Sequence, residues 1–454
     1  MRAPHRTTRA VLKVLSAAAG LSAALVAAGC RDTLLQVQTP DIINPTDLNT
    51  AAGAEGLRVG ALGRLAFMTA GDEASWVYGG LLVDEWKSGD TFVQRDQADQ
   101  RTIDPTNSFV STAYRDIQRT RVAAWQAIGA LRAYKPLPAS NIGQMFFAKG
   151  FAELQSASDF CNGQPLADLS GSAPADGPPL SVAAVFTAAA ASFDSALANA
   201  GGDPTVTNSA KIGKARALLG LGNVADAATA VAGVPTSFVY NMTYEAVKED
   251  NFIWTINNSS RRYSVQDSVD ASGTVPNALP FVSAKDPRVP TAATSKVSFD
   301  GVTPYEAQLI WSTRDAPVAV VSGVDARLAE AEAKLAAGDI AGWLSILNTL
   351  RAGPTPDGPL TISGMAALTD PGNAKARLKL MFRERAFWTF GRGQRLGDLR
   401  RMIRQYGFTA AEVFPGEGGT WFKTQSPYGH DYNIPVSSDE LNNPQFHGCT
   451  DRLP

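Results

Sequence analysis

Two groups of residues in this chain have the types and spacing to do chemistry. The first is a single cysteine. Arg2, Arg6, Arg9 and Lys13 form a basic leader, 14–28 is mostly apolar and uncharged, and Ala27-Ala28-Gly29 then places small residues directly before Cys30. This is the pattern of a bacterial export signal whose cysteine is acylated and becomes the first residue after cleavage. Its apolar core is too short to span a bilayer comfortably. Acyl chains on Cys30 would anchor the protein through hydrocarbon burial, each CH₂ contributing about 0.8 kcal/mol. The alternatives are an ordinary secretory signal or an uncleaved anchor. The expected organisation is a signal at 1–29, a tether and strap at 30–50, and one domain over 51–454.

The second group is aromatic and acidic. Trp76, Tyr78, Trp86 and Phe92 fall among Asp72, Asp84, Asp90 and Gly79-Gly80. Aromatic faces stack on the apolar ring faces of sugars or other planar ligands, and nearby carboxylates accept their hydroxyls. The competing reading is that these aromatics anchor an irregular segment to a core. Trp76, Tyr78, Asp84, Trp86 and Asp90 are therefore candidate ligand contacts, with burial as the alternative.

Signatures of catalysis are missing. Of three histidines, His430 and His447 lie in loop-like sequence near the C-terminus. No His-x-x-x-His, Cys-x-x-Cys, phosphate-binding loop or Gly-x-Ser-x-Gly occurs. Acidic neighbours such as Asp84-Glu85 are expected in any acidic chain, and sequence cannot show the separation across a cleft that glycoside hydrolysis needs. No metal or cofactor is expected. A net charge of −2 that becomes more negative once the basic leader is removed does not suit nucleic acid.

Besides Cys30, only Cys161 and Cys449 remain. In an exported protein two cysteines are most simply a disulfide, with two buried thiols as the alternative.

Helical spacing dominates the elements that must position these groups. Asn44-Pro45-Thr46-Asp47 reads as a turn into a helix over 51–70, apolar at Leu57, Ala61, Leu65 and Met68. Residues 72–110 read as loops with short helices. Helices follow over 112–134, 142–160 and 181–200, the last capped by Ser181 and stopped by Gly201-Gly202-Asp203-Pro204. Short pairs follow at 210–219 with 224–232, and at 325–336 with 340–350. Each pair leaves an apolar face that a neighbour must cover, so the expected fold is mostly α, built from divergent tetratricopeptide-like helix pairs. Residues 234–324 break this rhythm and read as a loop-and-short-strand insertion, with a smaller irregular stretch at 354–372.

The last third carries Arg383-Glu384-Arg385 and Gly393-Gln394-Arg395-Leu396-Gly397-Asp398-Leu399-Arg400-Arg401. Asn433-Ile434-Pro435-Val436 and Glu440-Leu441-Asn442-Asn443-Pro444 follow. With Asp286-Pro287-Arg288, Arg327-Leu328-Ala329-Glu330-Ala331 and the Asn44-Pro45 opening, this ordered set resembles the SusD/RagB family of outer-membrane nutrient-binding lipoproteins. Leu396-Gly397 stand where that family usually has an aromatic after the motif arginine. The resemblance implies a non-enzymatic, surface-exposed outer-membrane lipoprotein that captures an oligosaccharide or peptide. It also implies a SusC-like TonB-dependent transporter as partner. The family's ligand contacts follow no motif, so none is carried over. A helical-repeat scaffold in envelope assembly and a surface hydrolase are the alternatives. Physically, Arg395 and Asp398 are three apart and could pair on one helical face in a structural role. Glu384 between two arginines suggests a packed ion network.

Overall fold

The computed structural model describes residues 48–454; the signal at 1–29, Cys30 and the Asn44-Pro45 turn lie outside them. Local sequence explains the helix ends. The Thr50 hydroxyl accepts from Gly53 N and opens α1 (Ala51–Ala70), which buries Ala61, Leu65 and Met68. The segment after it holds α2 (Ser75–Leu82), strand β1 (Trp86–Ser88) and α3 (Val93–Gln100). Then come α4 (Ser108–Tyr134), α5 (Ala139–Asp159), α6 (Val182–Ala198), α7 (Pro204–Gly220) and α8 (Val224–Ala230). Ser181 caps α6 through its side chain, as its sequence position predicts. Asp203-Pro204, read as a stop, instead starts α7, with Asp203 as the cap and Pro204 in the first turn where no N–H is needed. The helix is six residues longer at its start than the 210–219 expectation for this reason.

Neighbours in space run in chain order: α1 lies on α4, α4 on α5, α5 on α6, α6 on α7 and α7 on α8. These antiparallel pairs, with α9 (Gly323–Ala336) against α8 and α10 (Ile340–Ala352), make the tetratricopeptide-like core. Phe193 of α6 lies so close to α7 that a Cβ at Gly213 would fall 2.3 Å from its ring. The insertion contains β2 (Val239–Met242), β3 (Tyr263–Val265), β4 (Thr291–Val297), β5 (Pro304–Gln308) and β6 (Val318–Ser322). Among the described residues these form only two-stranded antiparallel ladders, β1 with β3, β2 with β6 and β4 with β5.

The C-terminal motif is divided between two helices. It makes α11 (Ala374–Trp388) and α12 (Arg395–Tyr406), separated by a turn in which Gly391 and Gly393 take φ of +67° and +60°. At Gly393 a Cβ would also lie 2.0 Å from the Trp76 ring. Both the left-handed backbone and the close approach require glycine there.

Buried ion pairs then tie the halves together. Arg288 meets Asp286 twice (2.8 and 2.6 Å) and Glu384 twice (2.6 and 3.2 Å), and Arg351 reaches the same Glu384 at 2.9 Å. Asp325, which caps α9 with Ser322, accepts from Arg392 and Gln394, each at 2.8 Å. Glu332 takes Arg401 and the Tyr406 hydroxyl.

The expected Arg395–Asp398 pair is corrected. Asp398 accepts from Arg385 Nε at 2.7 Å and from Arg401 Nη1 at 3.3 Å. The i,i+3 pairing is realised one turn later because Arg395 is the first residue of α12. From there its Nε turns away to the Val83 carbonyl at 2.8 Å. The two cysteines form a Cys161–Cys449 disulfide, closing the C-terminal end onto the residues that follow α5.

Candidate functional site

The structure resolves the aromatic segment into an interior part and a surface part. Trp76 and Tyr78 are fully buried, and Trp86, Asp84 and Asp90 are 1% exposed. Trp76 donates to Gln155 Oε1 at 2.9 Å and meets Phe151 edge-on. Trp86 tilts against Phe390 with ring centres 4.9 Å apart. Asp90 accepts from Arg95 and Arg262. The ligand-contact expectation for these five residues is therefore corrected: each is enclosed by protein, and the competing core reading describes them. The reason is geometric. The segment α2–β1 runs beneath α12 and the glycine turn, so all its rings face protein.

Burial has an electrostatic consequence. It pushes the Asp84 carboxyl up to about 7 against the pull of Arg101 and Arg395, and Glu85 up to about 8 against Arg395. Each binds its proton more tightly folded than unfolded. Between pH 4 and 8 the native state thus holds more protons, and the stability these groups supply below pH 4 is lost as pH rises through 7–8. The melting temperature should fall from pH 6 to pH 8.5, and less steeply in Glu85→Gln. A slope unchanged in that variant would remove Glu85 as its source.

Phe92 is the exception in the segment, at 46% exposure. It stands just past β1, beside the tip of the β4–β5 hairpin, where Phe299 is 47% exposed. Arg262, adjoining β3, lies over both rings, its guanidinium carbon 4.9 Å from the Phe92 centre and 3.7 Å from that of Phe299. Buried Asp90 holds Arg262 from behind at 2.5 Å.

Three loops carrying these groups are locked by their backbones. Gly89 N donates to Arg262 O at 2.8 Å, Phe299 N to Arg261 O at 2.9 Å and Asp300 N to Gly89 O at 2.9 Å. A Cβ at Gly89 would fall 2.1 Å from that of Ser298, so only glycine allows this approach. Asp300 fixes the hairpin tip by accepting from Val302 N and Thr303 N. Lys423 completes one edge, 2.6 Å from Asp96 and 2.7 Å from the Asp90 carbonyl.

The result is a preformed platform of two half-exposed phenyl rings around a guanidinium that lies over both, bordered by Lys423, Asp96 and Asp300. Its chemistry is stacking on ring faces with charged hydrogen-bonding groups alongside. Phe299, Arg262 and Lys423 were not singled out from the sequence. The available signal was an aromatic just before Asp300-Gly301, a turn dipeptide, in a position where a tip residue has no core to enter. Among the described residues no cluster of His, Cys, Asp or Glu could hold a metal ion, and no helix is long and apolar enough to cross a membrane.

This mainly helical fold of repeat-like pairs is shared by solved structures. In fold the chain is similar to solved proteins described as SusD superfamily or SusD-like. A SusD superfamily protein from Parabacteroides distasonis shares it at a TM-score of 0.64 and 13% identity, over 88% of this chain and 98% of that one. A SusD-like carbohydrate-binding protein from Bacteroides vulgatus gives 0.62 and 12%, over 88% and 97%. Surface glycan-binding protein A from Bacteroides uniformis gives 0.62 and 12%, over 88% and 99%. No family profile matches the sequence. No curated protein matches it either.

Proposed function

We propose that this protein is an outer-membrane lipoprotein, anchored through Cys30, that captures a glycan and delivers it to a SusC-like TonB-dependent transporter. The observation that carries the reading is the Phe92–Arg262–Phe299 platform. Two half-exposed rings and the guanidinium between them, held by locked loops, suit the apolar faces of pyranose rings, and the bordering charges suit their hydroxyls. Two of the similar structures bear names that describe carbohydrate or glycan binding, which favours a glycan over a peptide. Capture requires no covalent step, so the function asks only for shape and stacking.

Phe92→Ala and Phe299→Ala should each weaken binding in a titration against an oligosaccharide panel. A stacked ring contributes about 0.5–1.5 kcal/mol beyond its area, which is roughly 3–10-fold in affinity. Both rings are half exposed, so melting temperatures should stay within a few degrees of the parent. Parental affinity in the double variant, for every glycan bound, would place capture elsewhere. The anchor has its own test. Cys30→Ser should abolish metabolic labelling with a palmitate analogue, and undiminished labelling would refute the assignment.

A further inference from the structure

Arg395 is a buried cation without a counter-ion. It is 5% exposed, and its Nε donation to Val83 is its sole hydrogen bond to protein among the described residues. It lines a cavity of about 230 Å³ between α11, α12 and the chain near Leu279. The floor is apolar, from Phe382, Leu399 and Met402. Both carboxylates of the cavity are already engaged, Asp398 by Arg385 and Arg401, and Glu412 by Lys375 and its own helix cap. Its other cations are held less closely, Arg383 over the Phe387 ring and Lys379 over that of Phe408. Lys379 forms no ion pair among the described residues, and Arg383 reaches only Glu384, at 3.6 Å. The carboxyls nearest Arg395 in the interior, Asp84 and Glu85, are held toward their neutral forms by burial. The cavity thus combines an apolar floor with unmatched positive charge.

We propose that this cavity binds a small amphipathic carboxylate. Its carboxylate pairs with Arg395, flanked by Arg383 and Lys379, and its hydrocarbon body lies on Phe382, Leu399 and Met402. A planar guanidinium fork fits a carboxylate. One buried cation matches a monoanion, whereas a dianion would bring a second charge into an apolar pocket. At about 30 Å³ for each water-sized group, the space holds roughly eight heavy atoms, the size of hexanoate. The inference is independent of glycan capture, because none of these residues borders the platform.

Calorimetric titration of the protein with hexanoate and with its neutral isostere hexanamide tests it. Hexanoate should bind saturably, and hexanamide should bind about 10-fold more weakly or worse, because a charge-assisted bond is lost. Met402→Trp, which fills the floor, should abolish binding. Arg395→Gln should do so too; because Arg395 is buried, the solvent-facing double variant Lys379→Gln/Arg383→Gln serves as the second reading and should weaken hexanoate several-fold. Phe92→Ala should bind hexanoate as the parent does. Absence of saturable hexanoate binding, equal affinity for hexanamide, undiminished binding in Met402→Trp or in the double variant, or loss in Phe92→Ala would each overturn the proposal.

Discussion

Glu384→Ala should cost the protein about 3–5 kcal/mol of stability, the price of removing one partner from a buried ion network. Glu384 is fully buried and accepts from Arg288, itself fully buried, and from Arg351. Without it Arg288 keeps Asp286 but loses two hydrogen bonds, and Arg351 keeps only its bond to the Ala366 carbonyl. The residues involved come from three elements far apart in sequence: the Asp-Pro-Arg segment of the insertion, α10 and α11. Their uncoupling should therefore lower the urea midpoint of the whole transition rather than loosen one helix. Glu384→Gln retains an acceptor and should cost less. An alanine variant with the parental midpoint would show that the network is replaceable by water.

The same network shows what could be read from the sequence. Arg383-Glu384-Arg385 suggested a packed ion cluster, and Glu384 is one. Its main partner, Arg288, is 96 residues away, and no local spacing reveals such a pair. Periodicity located the helices well because a stripe of apolar residues is a one-dimensional signal. It placed α1 at its observed bounds but began α4, α5 and α7 late, the last because Asp203-Pro204 opens that helix. It gave no sign of why the turn between α11 and α12 needs glycine, since that rests on Trp76 pressing against Gly393, a contact across the fold. The site was the hardest part. An aromatic residue looks alike in sequence whether its face meets a core or water. Of the four aromatics in 72–101, the three taken as candidate contacts are buried, and Phe92, next to the Gly89 crossing, is the one that stays open. Its partners arrive from the insertion, whose loops carry no period at all.

Trp86→Ala should separate the two fates of those aromatics. Trp86 is 1% exposed and packs on Phe390. It lies so near Gly80 that a Cβ there would be 2.5 Å from its ring, and it pairs with Val265 in the β1–β3 ladder. Truncating such a side chain removes its transfer free energy and leaves a cavity, a loss of about 3–5 kcal/mol. The platform lies a few residues further along both strands, beyond Ser88 and before Tyr263, and is held by its own backbone bonds at Gly89 and Arg261. Glycan affinity measured well below the lowered melting temperature should therefore stay at the parental value. Phe92→Ala should give the opposite pattern, with weakened binding and a nearly unchanged melting temperature. A Trp86→Ala protein that melts like the parent yet loses its ligand would return the binding site to the interior segment and take it from the exposed rings.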